Sequence, residues 1–211
     1  MKKDGILFVH IPRTGGTHFE NLLGFEGHDC TPRCGSKAYG ANHKEIMGWD
    51  KDLKMMITHA TYEEMLKHNL VSLDERLINV SIVRNPYHRT VSLFKYFGGR
   101  KKWGSFKGFL KALRKDLSLT KYFYLPQYKY LTHENKIAIE NLIKFEEYES
   151  DTEKFKSKYN LKFNITFDNE MQTRKSEANF KEFYGDKDSL NEVEEIYKKD
   201  FELFGYSYGS P

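Results

Sequence analysis

Two short stretches of this chain combine residue types that suit the binding of a phosphate-like anion. The first is His10–Thr17 (His-Ile-Pro-Arg-Thr-Gly-Gly-Thr), which follows an apolar run and leads into an amphipathic segment. A strand, a glycine turn and a helix in this order present backbone N–H groups and the positive end of the helix to an anion. The second is Arg84, which ends another apolar run, with Ser92 eight residues further on. An arginine at a strand end is a ligand contact more often than a packing residue, because a buried guanidinium needs a partner.

The glycine turn differs from the common nucleotide-binding loop. A Walker loop has a lysine directly after its last glycine, whereas here Thr17 follows Gly16. We therefore expect this loop to bind phosphate in another way. It would use the side chain of Arg13 and the backbone of the next four residues, which are Thr14, Gly15, Gly16 and Thr17.

The elements that must position these residues alternate between strand and helix. The strand-like runs are Gly5–Ile11, Leu53–Thr58, Leu77–Arg84 and Ala138–Phe145. The helix-like runs are Gly16–Leu23, Tyr62–His68, Pro86–Phe97, Phe106–Lys115, Glu147–Lys158 and Leu190–Phe204. Continuous apolar strands between helices predict an α/β fold, with a central parallel sheet flanked by helices. Because the carboxyl ends of parallel strands gather at one edge, Arg84 should lie near the glycine turn.

Length and composition are those of a single globular domain. The 211 residues, of which 39% are apolar and 30% charged, suit one domain spanning 1–211. Residues 25–52 are rich in Gly, His, Asn and Cys and are expected to form a long loop insertion. No window reaches the roughly 18 apolar residues of a membrane span. A first strand so close to Met1 also leaves no room for a signal peptide, so we expect a cytoplasmic protein.

Basic residues are concentrated in the middle of the chain. The formal net charge is +4, yet residues 95–121 hold nine Lys or Arg and one acid. On a near-neutral chain this favours an anionic ligand rather than general affinity for nucleic acid. The alternative is the solvated face of an amphipathic helix. Its apolar stripe would be Phe106, Phe109, Leu110 and Leu113.

The two cysteines, Cys30 and Cys34, lie in one segment with His28 and His43. Their spacing fits no strong zinc pattern. Reduced thiols in a loop are therefore the preferred interpretation, and no metal is expected.

Together the two anion-binding stretches resemble the sulfotransferase superfamily, whose members use 3′-phosphoadenosine 5′-phosphosulfate (PAPS). The run His10–Thr17 is similar to the family's 5′-phosphosulfate loop, and Arg84 with Ser92 is similar to its 3′-phosphate site. Many members carry a lysine where Arg13 stands, so here a planar fork replaces a point charge.

The resemblance extends over nearly the whole chain. It continues through Leu125–Leu131 and Ile143–Tyr148 and ends in Asp200–Tyr206, a tail common in the carbohydrate-type branch. By this resemblance Gln127 and Tyr128 contact or cover the adenine. Arg174 and Lys175 would fold over the 3′-phosphate, although two exposed charges are an equally good interpretation.

The chemistry implied is in-line transfer of a sulfuryl group from PAPS to an acceptor hydroxyl, on a carbohydrate for this branch. Arg13 and the loop N–H groups would stabilise the charge that builds on the departing phosphate. The acceptor hydroxyl needs a general base near neutral pH, for which histidine is suited. Among eight histidines we choose His59, because it follows the predicted strand Leu53–Thr58 and so lies on the same edge as Arg84. Its setting, Ile57–Ala60, also resembles the base-bearing strand end of glycan 2-O-sulfotransferases.

Other interpretations remain for His59 and for the whole chain. His59 could instead cap a helix or pack in the core, as His10 is expected to pack beneath the loop. A nucleotide-dependent kinase would suit the loop and sheet, but the loop lysine and an evident Mg²⁺-binding aspartate at a strand end are missing. A non-enzymatic module for anionic glycans would explain the basic segment but not Arg84.

Overall fold

The computed structural model describes residues 2–3, 5–24, 49–50, 53, 55–74, 76–115, 121–163 and 179–209. The strands are β1 (Lys2–Lys3), β2 (Ile6–Val9), β3 (Trp49–Asp50), β4 (Met55–Met56), β5 (Ile78–Val83), β6 (Thr132–His133), β7 (Lys136–Ile137) and β8 (Asn141–Lys144). The helices are α1 (Gly16–Leu22), α2 (Tyr62–Lys67), α3 (Pro86–Tyr96), α4 (Gly99–Trp103), α5 (Phe106–Lys115), α6 (Lys121–Tyr124), α7 (Tyr128–Leu131), α8 (Tyr148–Lys158), α9 (Lys187–Ile196) and α10 (Lys198–Phe204). Two 3₁₀ turns cover Ile57–His59 and Asn179–Tyr184.

A sheet in the order β1-β2-β5-β8 lies at the centre of the described fold. Strands β2, β5 and β8 are parallel, and β1 adds an antiparallel edge. Val80 of β5 is paired with Phe8 on one side and with Asn141 on the other. The predicted α/β class, with a central parallel sheet flanked by helices, is therefore confirmed.

Both faces of the sheet are covered, which explains why its strands are apolar throughout. Side chains alternate along β2. Leu7 and Val9 pack with residues of α2, α7 and α10, whereas Phe8 packs with Phe19 of α1 and Phe155 of α8. A third cluster joins α3, α5 and α9.

Local signals in the sequence set two of the helix starts near the sheet edge. Asn85 caps α3 by accepting a hydrogen bond from the Tyr87 N–H at 3.1 Å, and Pro86 is the first helical residue. Thr61 and Glu64 form a capping box at the start of α2. These starts fix the direction in which the chain leaves β5 and the turn Ile57–His59.

The run Leu53–Thr58 is not a strand of the central sheet, contrary to the prediction. Among the described residues of this run, Met55 and Met56 form a strand, and they pair antiparallel with Trp49 and Asp50. The chain then turns as a 3₁₀ helix, closed by the Ala60 N–H bonding the Ile57 carbonyl, because the capping box of α2 follows directly.

The last predicted helix, Leu190–Phe204, is two helices separated at Tyr197. The ring of Tyr197 is buried and its hydroxyl donates to the Tyr124 carbonyl at 3.2 Å, so its side chain is held in the core at the bend. The first of the two helices is capped by Asp186, whose carboxylate accepts a hydrogen bond from the Ser189 N–H at 2.8 Å. The short elements α4, α6, α7 and β6–β7 were not predicted. The predicted strand Ala138–Phe145 is shorter in the structure, where β8 covers Asn141–Lys144.

Candidate functional site

The chain after β2 forms a tight loop that enters α1. Arg13 and Gly15 take left-handed backbone conformations, with φ of 67° and 86°. The buried Thr14 hydroxyl donates to the Ile11 carbonyl at 2.8 Å, which closes the turn. Among the described residues, the N–H groups of Gly15, Gly16 and Thr17 find no acceptor, so three donors remain for a ligand.

Gly16 is required by its contact with His10. A Cβ at position 16 would lie 2.3 Å from Cδ2 and 2.4 Å from Nε2 of the His10 ring. The His10 side chain is buried beneath the loop, as the sequence predicted. The glycine therefore lets the loop sit directly on this ring.

Arg84 lies beside the loop, which confirms the prediction made from parallel-strand geometry. Its Nη1 donates to the Arg13 carbonyl at 3.2 Å. Its guanidinium is 4.2 Å from the ring centroid of Phe145, at the end of β8. Only 8% of Arg84 is exposed. A mostly buried guanidinium is thus presented at the carboxyl edge of three parallel strands.

Arg13 and Ser92 are in direct contact. The Arg13 Nε donates to the Ser92 hydroxyl oxygen at 3.0 Å, and the guanidinium lies 4.5 Å from the ring centroid of Tyr96. Since the Ser92 oxygen accepts this bond, its own hydroxyl proton can be donated to a ligand. The two predicted anion sites, Arg13 with its loop and Arg84 with Ser92, form one continuous surface.

Gln127 holds the backbone of Arg84 rather than presenting its side chain to the surface. Its Oε1 accepts from the Arg84 N–H and its Nε2 donates to the Arg84 carbonyl, both at 2.8 Å. The residue is fully buried, so its side chain has no exposed atom for an adenine. The predicted adenine contact is therefore replaced by a positioning role for Gln127, whereas Tyr128 remains half-buried.

The two hydrogen bonds from the Gln127 side chain to the Arg84 backbone form a clamp, and Asp200 holds this clamp in place. Its carboxylate accepts from the N–H groups of Gln127 at 2.7 Å and Tyr128 at 2.9 Å. Burial raises the pKa of Asp200 to about 6, against the lowering effect of these two donors and of the Arg89 charge.

Tyr206 completes the anchoring from the tail. Its hydroxyl contacts the Val83 carbonyl at 3.3 Å and the Glu146 carboxylate at 2.9 Å, and Glu146 accepts from the Asn85 N–H. These contacts explain why Ile143–Tyr148 and Asp200–Tyr206 accompany the Arg84 motif in the sequence.

Arg89 joins the loop to the segment that follows α6. Its guanidinium donates to the carbonyls of Pro12 at 3.0 Å, Leu125 at 3.0 Å and Phe123 at 2.9 Å, and only 1% of the residue is exposed. Sequence reasoning missed this residue because all three acceptors are backbone atoms of distant segments. Its place on α3, one turn before Ser92, was the available signal.

His59 lies on the same edge, although it is reached by a 3₁₀ turn rather than by the predicted strand. Its Nδ1 is 3.1 Å from the His10 carbonyl, so Nδ1 carries the proton and Nε2 is the basic nitrogen. Burial, followed by the charge of His10, lowers the pKa of His59 well below its ordinary value of 6.5. The ring is therefore neutral near pH 7, as a general base must be.

The remaining histidines of the described regions are placed differently. His18 is buried with its Nδ1 2.9 Å from the Tyr148 hydroxyl. His88 packs against Phe180, and burial together with the charge of Arg84 lowers its pKa to about 4. His133 pairs with Glu63 at the surface.

The basic segment divides into a neutralised part and a cationic part. Lys107 and Arg114 of α5 form ion pairs with Asp188 and Glu192 at 2.9 Å, so this face of α5 is compensated by α9. Arg100, Lys101 and Lys102 of α4 make no ion pair within the described ranges. The predicted apolar stripe of α5 is buried.

Several predicted residues lie outside the described part of the chain. These are Arg174 and Lys175, Cys30 and Cys34 with their neighbouring histidines, and most of the predicted insertion 25–52. Within the regions that are described, no three His, Cys, Asp or Glu side chains converge as metal ligands. Nor does any helix in those regions have the length and apolar character needed to span a membrane.

Comparison with known proteins agrees with this arrangement. A sequence model described as the sulfotransferase family matches residues 1–207, which is nearly the whole chain. Searches of curated proteins and of solved structures gave no match. The match includes the glycine turn, Arg84 and the tail that anchors it. The chain therefore belongs to the sulfotransferase family and is an enzyme of sulfuryl transfer.

Proposed function

We propose that this sulfotransferase takes its sulfuryl group from PAPS and transfers it to a carbohydrate hydroxyl, with His59 as general base. The observation that carries the proposal is the contact between two anion sites, in which the Arg84 Nη1 bonds the Arg13 carbonyl at 3.2 Å. A donor with a 3′-phosphate and a 5′-phosphosulfate has two anionic groups to fill such a pair of sites. The free loop N–H groups and the two guanidinium groups fit both of them.

In this proposal PAPS supplies the activated sulfuryl group. The acceptor oxygen forms a bond to sulfur while the bond between sulfur and the phosphate oxygen breaks, and 3′,5′-bisphosphoadenosine leaves. Arg13 and the N–H groups of Gly15–Thr17 stabilise the charge that develops on the leaving phosphate. Arg84 and the Ser92 hydroxyl hold the 3′-phosphate.

His59 takes the proton of the acceptor hydroxyl on Nε2. Its Nδ1–H is already used by the His10 carbonyl, which fixes the tautomer that this step needs. The ring also contacts Phe123, with centroids 5.1 Å apart, so one side of the base is shielded from water.

A carbohydrate acceptor is supported by an aromatic surface between Arg13 and His59. Tyr96 is 57% exposed and lies under the Arg13 guanidinium, and its ring is stacked with that of Phe123 at 6.4 Å. An exposed aromatic face is suited to the C–H face of a sugar ring. The cations of α4 begin at Arg100, four residues after Tyr96, and make no ion pair within the described residues, which supports an acceptor with acidic groups.

The test is calorimetric titration with 3′,5′-bisphosphoadenosine, with ADP and ATP–Mg²⁺ as comparisons. We expect tight binding that depends on the 3′-phosphate. Preference for ATP–Mg²⁺ would favour phosphoryl transfer, and no binding would favour a glycan-binding module.

The acceptor is tested by radiolabelled transfer from PAPS to acidic glycans, neutral glycans and simple phenols. Label in the acidic glycans supports the proposal. Label in the phenols alone would overturn the carbohydrate assignment and leave the donor assignment intact.

A further inference from the structure

Two buried ionisable side chains beneath the loop have no part in the proposed transfer step. The Nδ1 of His10 lies 2.5 Å from Oε1 of Glu20, and these residues are only 4% and 1% exposed. Glu20 belongs to α1 and His10 follows β2, so the contact ties the helix to the end of the strand. At this distance one hydrogen lies between the nitrogen and the carboxylate oxygen.

The contact holds the His10 ring in one orientation. The ring is stacked on Phe8 at a centroid distance of 5.5 Å, and its other nitrogen, Nε2, faces Gly16. With Glu20 on Nδ1, Phe8 on one side and the loop against the remaining edge, the ring has little room to rotate.

His10 in turn contacts His59 through its backbone carbonyl and through its ring. Its backbone carbonyl accepts the Nδ1–H of His59 at 3.1 Å. Its ring meets the His59 ring edge-on, with centroids 4.6 Å apart and an interplanar angle of 75°. Phe123 also contacts the His59 ring. The orientation of His59 therefore depends directly on the position of His10.

We propose that Glu20 and His10 are positioning residues that fix the ring orientation and the tautomer of His59. This inference rests on the proposed role of His59 as base. Burying an acid and a histidine costs desolvation free energy. An apolar pair of the same shape would avoid that cost if packing were the only task of these two residues, so a positioning role gives a reason for their presence. From the sequence, Glu20 had no predicted role, and His10 was expected only to pack beneath the loop.

The test combines turnover with a spectroscopic measurement on Glu20→Gln. We expect the kcat of sulfuryl transfer to fall about 10- to 100-fold, the range for losing a group that orients another. The KM for PAPS and the affinity for 3′,5′-bisphosphoadenosine should stay within about twofold of wild type, because Glu20 lies beneath the loop rather than at the anion surface.

The spectroscopic readout is the pair of ¹⁵N imidazole shifts of His59 at pH 7.5. The wild type should show a protonated Nδ1 and an unprotonated Nε2, and in Glu20→Gln the two shifts should move toward each other. If the variant fails to fold, His10→Phe keeps an aromatic ring and the backbone carbonyl at this position but removes Nδ1, and the same changes in kcat and in the His59 shifts are expected.

The matched control is Glu194→Gln, which removes the carboxylate charge from a contact of the same 2.5 Å length, with the Tyr87 hydroxyl, away from His59. An equal loss of kcat in the control, or wild-type kcat and unchanged His59 shifts in a folded Glu20→Gln, would overturn the proposal. A wild type that transfers no sulfuryl group would refute the proposed function instead, while the shifts would still test the positioning.

Discussion

Replacing Gly16 by alanine tests whether the loop depends on its contact with the His10 ring. The new methyl carbon would lie 2.3 Å from the ring carbon Cδ2, whereas carbon atoms prefer a separation of about 3.5–4.0 Å. One of the two must therefore retreat by about 1.2 Å or more. His10 is held by Glu20 and is buried, so we expect the loop to move.

The magnitude follows from two opposing effects. Overpacking of this kind costs about 1–3 kcal/mol, and the helical preference of alanine over glycine returns about 0.5–1 kcal/mol. The free energy of unfolding should therefore fall by about 0–2.5 kcal/mol. Anion affinity should change more clearly, because the displaced N–H groups no longer converge. We expect the Kd for 3′,5′-bisphosphoadenosine to rise about 10- to 100-fold, equal to about 1.4–2.8 kcal/mol.

The assay is calorimetric titration of Gly16→Ala, with urea denaturation to confirm folding. Gly185→Ala is the matched control, since a Cβ at position 185 meets nothing within 4 Å. The double variant Gly16→Ala/His10→Ala removes the ring that the methyl group meets and should recover most of the lost affinity. Wild-type affinity in Gly16→Ala, or a double variant no better than the single one, would refute the reasoning.

The other predictions concern the edge of the sheet. Arg84→Ala should weaken binding of 3′,5′-bisphosphoadenosine by about 1.5–3 kcal/mol, the range for a charged hydrogen bond; unchanged affinity by calorimetry would remove Arg84 from the site. His59→Ala should leave this affinity intact and lower kcat by about 10²–10⁴, so full turnover would point to another base. In the wild type the neutral His59 is the active form and its pKa is lowered, so the acid limb of the kcat profile should lie below pH 6.5. A limb above 6.5 would contradict the burial argument. For the same reason the stabilising contribution of His59 is present above pH 6.5 and is lost as the pH falls toward its lowered folded-state value. Arg89→Met leaves three backbone carbonyls without their donor and should lower the free energy of unfolding by about 2–5 kcal/mol in urea denaturation. Its control is Arg114→Met, whose ion pairs are exposed and contribute little to stability; equal effects would refute the role given to Arg89.

The position of Arg84 beside the loop could be predicted because it needs only two facts. Both segments follow apolar strands, and the carboxyl ends of parallel strands share an edge. The starts of α3 and α5 could be predicted as well, since the Asn85-Pro86 pair and the apolar stripe are local signals. Each of these inferences uses residues within about one helix length of each other.

The contacts that support the edge could not be predicted in this way. Gln127 was expected to face the ligand, but its amide bonds the Arg84 backbone, which lies 43 residues away in sequence. Arg89 looks like any basic residue of an amphipathic helix until its backbone acceptors are known. His59 was predicted at the correct edge of the sheet, but the prediction assumed that a strand leads to it. A short apolar run does not distinguish a strand from a 3₁₀ turn, and the structure has the 3₁₀ turn.

The anchoring of Arg84 by the tail has a consequence for synthesis on the ribosome. Arg84 follows strand β5, yet its clamp depends on Asp200, and Tyr206 bonds Val83 across 123 residues of sequence. A nascent chain can pair β2 with β5 long before these partners leave the exit tunnel, but Arg84 remains unclamped during that time. The anion surface is therefore completed only after Tyr206 has left the exit tunnel, and until then Arg84 lacks the contacts that hold it at the sheet edge.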